Sequence, residues 1–541
     1  MSNNKDSKKN TNGNYNLNND CNLIFPSDPA EVWQYFKEIS SIPRASGNEE
    51  GIRNYLIDFA KKNNFSYKVD KAGNVYIYVS ASDQYENHHP ILIQNHMDMV
   101  CDSTSDVKID FKNHPLELIV TEDGYVKAHK TTLGADNGIG MAVALALTSK
   151  NIKHPPLELL FTVDEETGLN GAQHIEKDFI SSKRLLNFDT GNFGTFYVGC
   201  AGSIKVELKA KFKEEEESSN SVAYRLSVSG FTGGHSGGEI NKQKANAIKF
   251  LIDCLNRLDS EKIEYSLHGF IAGKAHNIIP REAFAVICIN KSIDLENKIT
   301  NILKILNQAK NDWCSFLPSN DNQFSFTFNA CPVHTEAEST KVLSLKDKKR
   351  FLSIVNLIPH GVESYCIHQH QHQDNEKKEE VSYSIPSLSS NFSLCKLHDG
   401  DMLLQSSIRF FNPQECFKLL NIFNQIASLA EIEINIKWSY PSWPVADYSE
   451  NNLLKTISSN YESLFNKNPK ILITHTGLEC GIIVDRLRDG DLLTTNTNKK
   501  NKIEALSLGM NILAIHTPDE RLEIASVQNF WKLITSAMKD F

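Results

Sequence analysis

Residues 156–168, P-L-E-L-L-F-T-V-D-E-E-T-G, set three carboxylates in a row, Asp164, Glu165 and Glu166, at the end of an apolar run. Apolar β-formers closed by a turn glycine read as a buried strand with acids at its carboxyl tip. Adjacent anions repel one another and lose hydration there, and bound cations would hold them together. A solvated turn is the competing reading of this triplet by itself. Two further segments repeat the design. Residues 89–100, H-P-I-L-I-Q-N-H-M-D-M-V, read as an apolar strand ending in His96 and Asp98, which share one side of an extended chain. Residues 185–191, L-L-N-F-D-T-G, end in Asp189. The turn T-T-L-G-A-D-N-G at 131–138 sets Asp136 beside the start of an apolar helix, as an N-cap or as an anion favoured by the helix dipole.

His96, Asp98, Asp136, Glu165, Glu166, Asp189 and His516 are the candidate set. Imidazole and carboxylate without cysteine suit Zn2+, Co2+ or Mn2+ rather than a thiolate structural site. Three carboxylates and two imidazoles suffice for two ions if one carboxylate bridges. Two divalent ions, Asp136, Glu166, Asp189 and one hydroxide balance to zero charge, which favours a hydrolytic centre. Glu165 would take the proton of the attacking water, and Asp98 would orient His96.

The elements that must position these groups alternate strand and helix. Helices are expected over residues 29–39, 49–62 and 139–148, with strands at 75–79 and at the three acidic or imidazole tips. After about residue 208 the texture becomes α+β, with alternating strands such as 223–230 and 402–410. Residues 440–444 read as a linker back to the first domain. The expected division is a disordered tail at 1–25, a catalytic part at 26–208, an insertion at 209–439 and a second catalytic part at 440–541. Residues 213–221, 365–380 and 487–503 read as inserted surface loops. His368, His370 and His372, alternating with glutamine, read as part of a solvated low-complexity loop.

Composition narrows the function. A chain of 541 residues calls for more than one domain, and a net charge of −9 argues against polyanionic partners, whether nucleic acid or anionic membrane. No apolar run approaches a membrane span, and the first residues carry no apolar signal core. Eleven cysteines without a C-x-x-C pair read as reduced thiols of a cytoplasmic protein.

The ordered series H-M-D (96–98), G-A-D-N-G (134–138), D-E-E-T-G (164–168), F-D-T-G (188–191), G-G-H-S-G (233–237) and H-T-P-D-E (516–520) resembles the M20 family of co-catalytic metallopeptidases. H-N-I-I-P-R-E (276–282) and H-T-G-L-E-C-G (475–481) bring the resemblance closer to its aminoacyl-histidine dipeptidase branch. The resemblance implies an α/β catalytic domain with a mixed, mostly parallel sheet flanked by helices, zinc-peptidase-like, plus an inserted α+β lid domain. It also implies two divalent metal ions, Zn2+ first, held by His96, Asp136 as the bridge, Glu166, Asp189 and His516. Asp98 and Glu165 would be the catalytic pair, with His235, on the second domain, stabilising the oxyanion by domain closure or from a partner subunit. Asn277, Arg409 and Gly477 would contact a dipeptide of the Xaa-His or another unblocked kind, Arg409 at its C-terminal carboxylate. The assembly is left open, with a homodimer as one option. An N-acyl-amino-acid amidase and an inactive binding homologue are the alternatives.

Overall fold

A computed structural model describes residues 24–291, 293–331, 340–374, 377–444, 451–487 and 503–541. Most of the expected N-terminal tail and of the 487–503 loop therefore lies outside the described residues.

Two sheets organise the chain. Among the described residues the first has eight strands. Ile91–His96 pairs in parallel with Leu157–Thr162 on one side and Arg184–Asn187 on the other. Glu504–Ser507 continues in parallel beside Arg184–Asn187. Thr195–Cys200 and Lys470–Thr474 form another parallel pair, and Ser66–Val69 and Val75–Val79 add an antiparallel edge.

Side-chain alternation sorts the strands between two helical layers. Ile91, Ile93, Leu157, Leu159 and Phe161 join a core shared with helices Ala30–Ser40, Glu50–Lys62, Ala135–Ala146, Asn452–Phe465 and Ile524–Ala537. Leu92, Leu160 and Leu185 point the other way, toward helix Glu479–Leu487. Val32, Trp33, Phe36 and Ile39 recur at helical spacing on Ala30–Ser40 and are all buried, each aliphatic or aromatic side chain contributing about 1.5–3 kcal/mol.

Among the described residues the second sheet has nine strands, all paired antiparallel. Helices Ala247–Ser260, Leu295–Phe316, Leu345–Leu357 and Pro413–Ala430 share its core. On strand Asp401–Phe410, Met402, Leu404, Ile408 and Phe410 enter that core, so Arg409 stands on the opposite face.

The chain crosses between sheets at two adjoining places. Thr195–Cys200 belongs to the first sheet and Gly202–Lys211 to the second, ahead of the textural change near residue 208. The return follows Glu433–Tyr440, and Trp443 then exchanges both backbone hydrogen bonds with Cys200, at 3.2 and 2.9 Å.

Two expected loops carry strands. Residues 365–374 and 377–380 belong to the paired strands Gly361–Asp374 and Lys377–His398, with His368 opposite Tyr383. Alternating polar residues satisfy a two-residue strand period as well as they satisfy a solvated loop, which is why composition misled. Glu214–Glu216, inside the expected 213–221 insertion, pairs with Lys341–Leu343.

Candidate metal centre and substrate pocket

The parallel strands Leu157–Thr162, Ile91–His96, Arg184–Asn187 and Glu504–Ser507 lie side by side, and their carboxyl ends deliver the charged groups. This is where open α/β sheets place ligands. His96 ends its strand. Beyond Thr162 the chain turns at Asp164, whose φ of +51° is left-handed. The Asp164 carboxylate accepts Thr167 Oγ1 and Asn170 Nδ2, each at 2.7 Å, and so closes the turn. That turn frees Glu165 and Glu166 to face inward. The acidic triplet therefore divides into one turn residue and two site residues.

Two groups of three donors share one residue. His96, Asp136 and Asp189 form one, and Asp136, Glu166 and His516 the other, the donor atoms of each lying within 4.8 Å of one another. Asp136 Oδ1 lies 2.9 Å from His96 Nε2, and its Oδ2 lies 3.3 Å from His516 Nε2. His516 Nε2 lies 2.9 Å from Glu166 Oε2, and Asp189 Oδ1 lies 3.5 Å from His96 Nε2. The helix is interrupted at Asp136, whose backbone is extended at φ −77° and ψ 110°, and the Asp136 carboxylate faces His96 and His516. His516 itself is left-handed, at φ +65°, a conformation that costs energy for a residue with a Cβ.

Electrostatics set these groups against one another. Burial, joined by the negative charges of Glu166, Asp189 and Glu479, pushes Glu165 well above the usual carboxylate range. Burial raises Glu166 and Asp189 too, each opposed by a neighbouring imidazole and reinforced by Asp136. Burial would lower His96, but Asp189 and Asp136 override it and hold the imidazole well above 6.5. Acids crowded until they repel, with only imidazole and carboxylate donors, fit divalent cations. Asp98 sits behind, accepting Ser46 Oγ at 2.7 Å and the amides of Glu165 and Glu166 at 3.0 and 3.2 Å. Its Oδ1 is 3.4 Å from His96 Nδ1.

The second sheet contributes a different group. His235 Nδ1 accepts the amides of Gly237 and Gly238, each at 3.2 Å. An accepting Nδ1 leaves the neutral ring's proton on Nε2. Burial, with Arg409 and His516 nearby, lowers His235 to about 3, so the ring is neutral at physiological pH. Arg409 Nη2 lies 3.4 Å from His235 Nε2, so the two donors stand side by side. Arg409 also donates to Ser236 Oγ at 3.2 Å and to Tyr440 Oη at 3.0 Å. A Cβ on Gly477 would run into Tyr440 Oη, which is why glycine stands there. Asn277 joins through its backbone, its carbonyl accepting the Ser236 amide at 2.8 Å.

Several supporting residues escaped the sequence reading. Glu520, buried, accepts four backbone amides of the Asp136 loop, from Leu133 to Asp136. Buried Arg44 donates to the carbonyls of Met97 and Asp98 at 3.0 and 2.8 Å and to that of Gly134. Asn137 Nδ2 holds Asp189 Oδ1 at 2.8 Å. Asn391 Nδ2 supports the 276–278 loop through two carbonyls. Glu520 lies inside H-T-P-D-E and Arg44 inside I-P-R-A-S-G, so charge within a short motif was the available signal. In the His-rich tract, His368 is buried against the Tyr383 ring.

A mixed sheet flanked by helices, with imidazoles and carboxylates gathered at its parallel strand tips beside a second sheet that offers donors, defines the class: a two-sheet α/β scaffold with a candidate site for divalent cations. The chain belongs to peptidase family M20/M25/M40, whose sequence pattern matches residues 92–540. It is 30% identical over 513 residues to the cytosol non-specific dipeptidase of Escherichia coli (strain K12), across 95% of this chain and 98% of that one. Its fold is similar to that of the aminoacylhistidine dipeptidase from Vibrio alginolyticus, with a TM-score of 0.73, 27% identity and coverage of 95% and 97% of the two chains. A tripeptidase from Staphylococcus aureus shares the fold at 15% identity and a TM-score of 0.50, covering 94% of this chain and 97% of that one. Among the described residues no helix is long and apolar enough to cross a membrane.

Proposed function

We propose that the chain is a metal-dependent dipeptidase, acting on Xaa-His and other unblocked dipeptides, with His96, Asp136, Glu166, Asp189 and His516 holding two divalent ions, Zn2+ first. The observation that carries this reading is the sharing of Asp136, one oxygen toward His96 and the other toward His516. The relatives' names support the substrate class. The reading includes cytoplasmic residence, a homodimer, and a nine-stranded layer that works as the lid.

Cations held there supply Lewis acidity toward the scissile carbonyl and lower the pKa of water. Glu165, raised by burial and by neighbouring acids, is suited to take the proton of the attacking water and to return it to the leaving amine. Asp98 keeps His96 oriented and fixes the backbone of Glu165 and Glu166. His235 Nε2–H donates to the oxyanion of the tetrahedral intermediate. Arg409, steadied by Tyr440 and Ser236, pairs with the C-terminal carboxylate, and Gly477, which admits Tyr440 at close range, contacts the dipeptide.

The test strips the full chain with a chelator and reloads it with Zn2+, Co2+ or Mn2+. It then assays Xaa-His dipeptides, other dipeptides and N-acyl amino acids side by side. Metal-restored cleavage of free dipeptides is expected. Preference for N-acyl amino acids, or no hydrolysis by the fully loaded chain, would overturn the proposal.

A further inference from the structure

H-T-G-L-E-C-G contains a carboxylate that the proposed reaction leaves unused. Glu479 opens helix Glu479–Leu487 and is fully buried. Its Oε2 accepts Thr162 Oγ1 at 2.8 Å and the side-chain amide of Gln94. Gln94 Oε1 accepts Asn187 Nδ2 at 2.7 Å. Asn187 Oδ1 in turn accepts the Ser507 hydroxyl and, at 3.3 Å, the Asp189 amide. One polar chain thus runs across four neighbouring strands just before their tips. Gln94 precedes His96, Thr162 precedes Glu165 and Glu166, and Asn187 precedes Asp189.

The other oxygen of Glu479, Oε1, has no hydrogen-bonding partner among the described residues. A buried carboxylate with a bare oxygen destabilises a fold, and packing alone would favour an apolar side chain there. Packing therefore does not account for it. Burial raises its carboxyl to about 7, and the groups acting on it include His96 and Asp189. Cations among those groups would favour its ionised form. The loop ahead of it carries Gly477, and His475 Nε2 there lies 2.7 Å from Ser389 Oγ of the second sheet.

We infer that Glu479 is a positioning residue for the metal centre: it fixes the strand tips that present His96, Glu166 and Asp189, and its negative charge beneath them strengthens the binding of divalent cations. This rests on the metal-centre reading above.

Glu479→Gln isolates the charge, because its oxygen still accepts from Thr162 and Gln94 while its amide takes the place of Oε1. The metal-free full chain is titrated with Co2+ alone by calorimetry, with thermal melts alongside. E479Q is expected to melt as the parent does and to bind Co2+ on the order of 10–100-fold more weakly. At saturating Co2+ its KM for a dipeptide is expected to match the parent's. Parent-like Co2+ affinity in E479Q would overturn the inference. Should E479Q fail to fold, Thr162→Val removes one donor to the carboxylate. Weakened Co2+ binding is expected there as well, and parent-like binding would overturn the inference equally. A parent that binds Co2+ but cleaves no dipeptide defeats the proposed function and leaves this inference standing. A parent that binds no Co2+ defeats both.

Discussion

Glu520 accepts the backbone N–H of Gly134 at 3.0 Å, while Arg44 takes the carbonyl of the same glycine from the other side. The loop that carries Asp136 is therefore clamped by a buried carboxylate and a buried guanidinium. Glu520 also lies four residues after His516, so one carboxylate couples two of the proposed ligands.

Glu520→Gln leaves some of those four amides facing an NH2 group instead of an acceptor. The expected loss of stability is about 1–3 kcal/mol, since unsatisfied buried donors cost that much. Chemical denaturation of the metal-free chain measures it, and an unchanged midpoint would contradict the clamp.

Glu165→Gln keeps the shape but removes the base. Turnover is expected to fall by roughly 10²–10⁴-fold with both ions still bound. Metal analysis beside steady-state kinetics checks this, and retained turnover would remove Glu165 from its role.

His235 and Arg409, side by side, divide their labour. His235→Ala is expected to lower kcat by about 10²–10³-fold, the size found when one oxyanion donor is lost. Arg409→Lys gives up the fork that suits a carboxylate, so its main effect is expected on KM. Tyr440→Phe removes one Arg409 partner and should raise KM in the same direction by less. A kcat loss in Arg409→Lys with unchanged KM would contradict the carboxylate assignment.

His360 gives a pH-dependent stability in the second sheet. Its Nδ1 accepts Asn246 Nδ2 at 3.2 Å and the Phe392 amide at 3.3 Å, and burial, aided by Lys249, lowers it to about 3. The unfolded chain, near 6.5, binds the proton first as pH falls. Stability from the neutral ring is thus complete above pH 6.5 and is lost on acidification toward 3, by up to about 1.4 kcal/mol per pH unit. Melts of the parent and His360→Gln between pH 7 and 5 should show a shallower decline in the variant, and parallel declines would refute this.

The sequence by itself determined the strand tips and the chemistry at them. Apolar runs that end in His96, Glu165–Glu166 and Asp189 have one natural place, a buried parallel strand opening at its carboxyl end, and the structure builds those strands side by side. The motif order carried the family. The strand pairing of 365–374 and 377–380 was not legible, because polar alternation satisfies loop and strand alike and the pairing partner decides. Nor did the sequence reveal that Asp164 turns the chain while its neighbours face the site, a distinction set by a left-handed backbone. Arg44, Glu520 and Glu479 came to light only in three dimensions. A charged side chain in a sequence reads as solvated until the fold shows which backbone amides, carbonyls and hydroxyls surround it. Residue type and local order fix what each tip can bind. Only tertiary packing decides which buried charges hold those tips at a given separation, because their partners lie tens to hundreds of residues away in the chain.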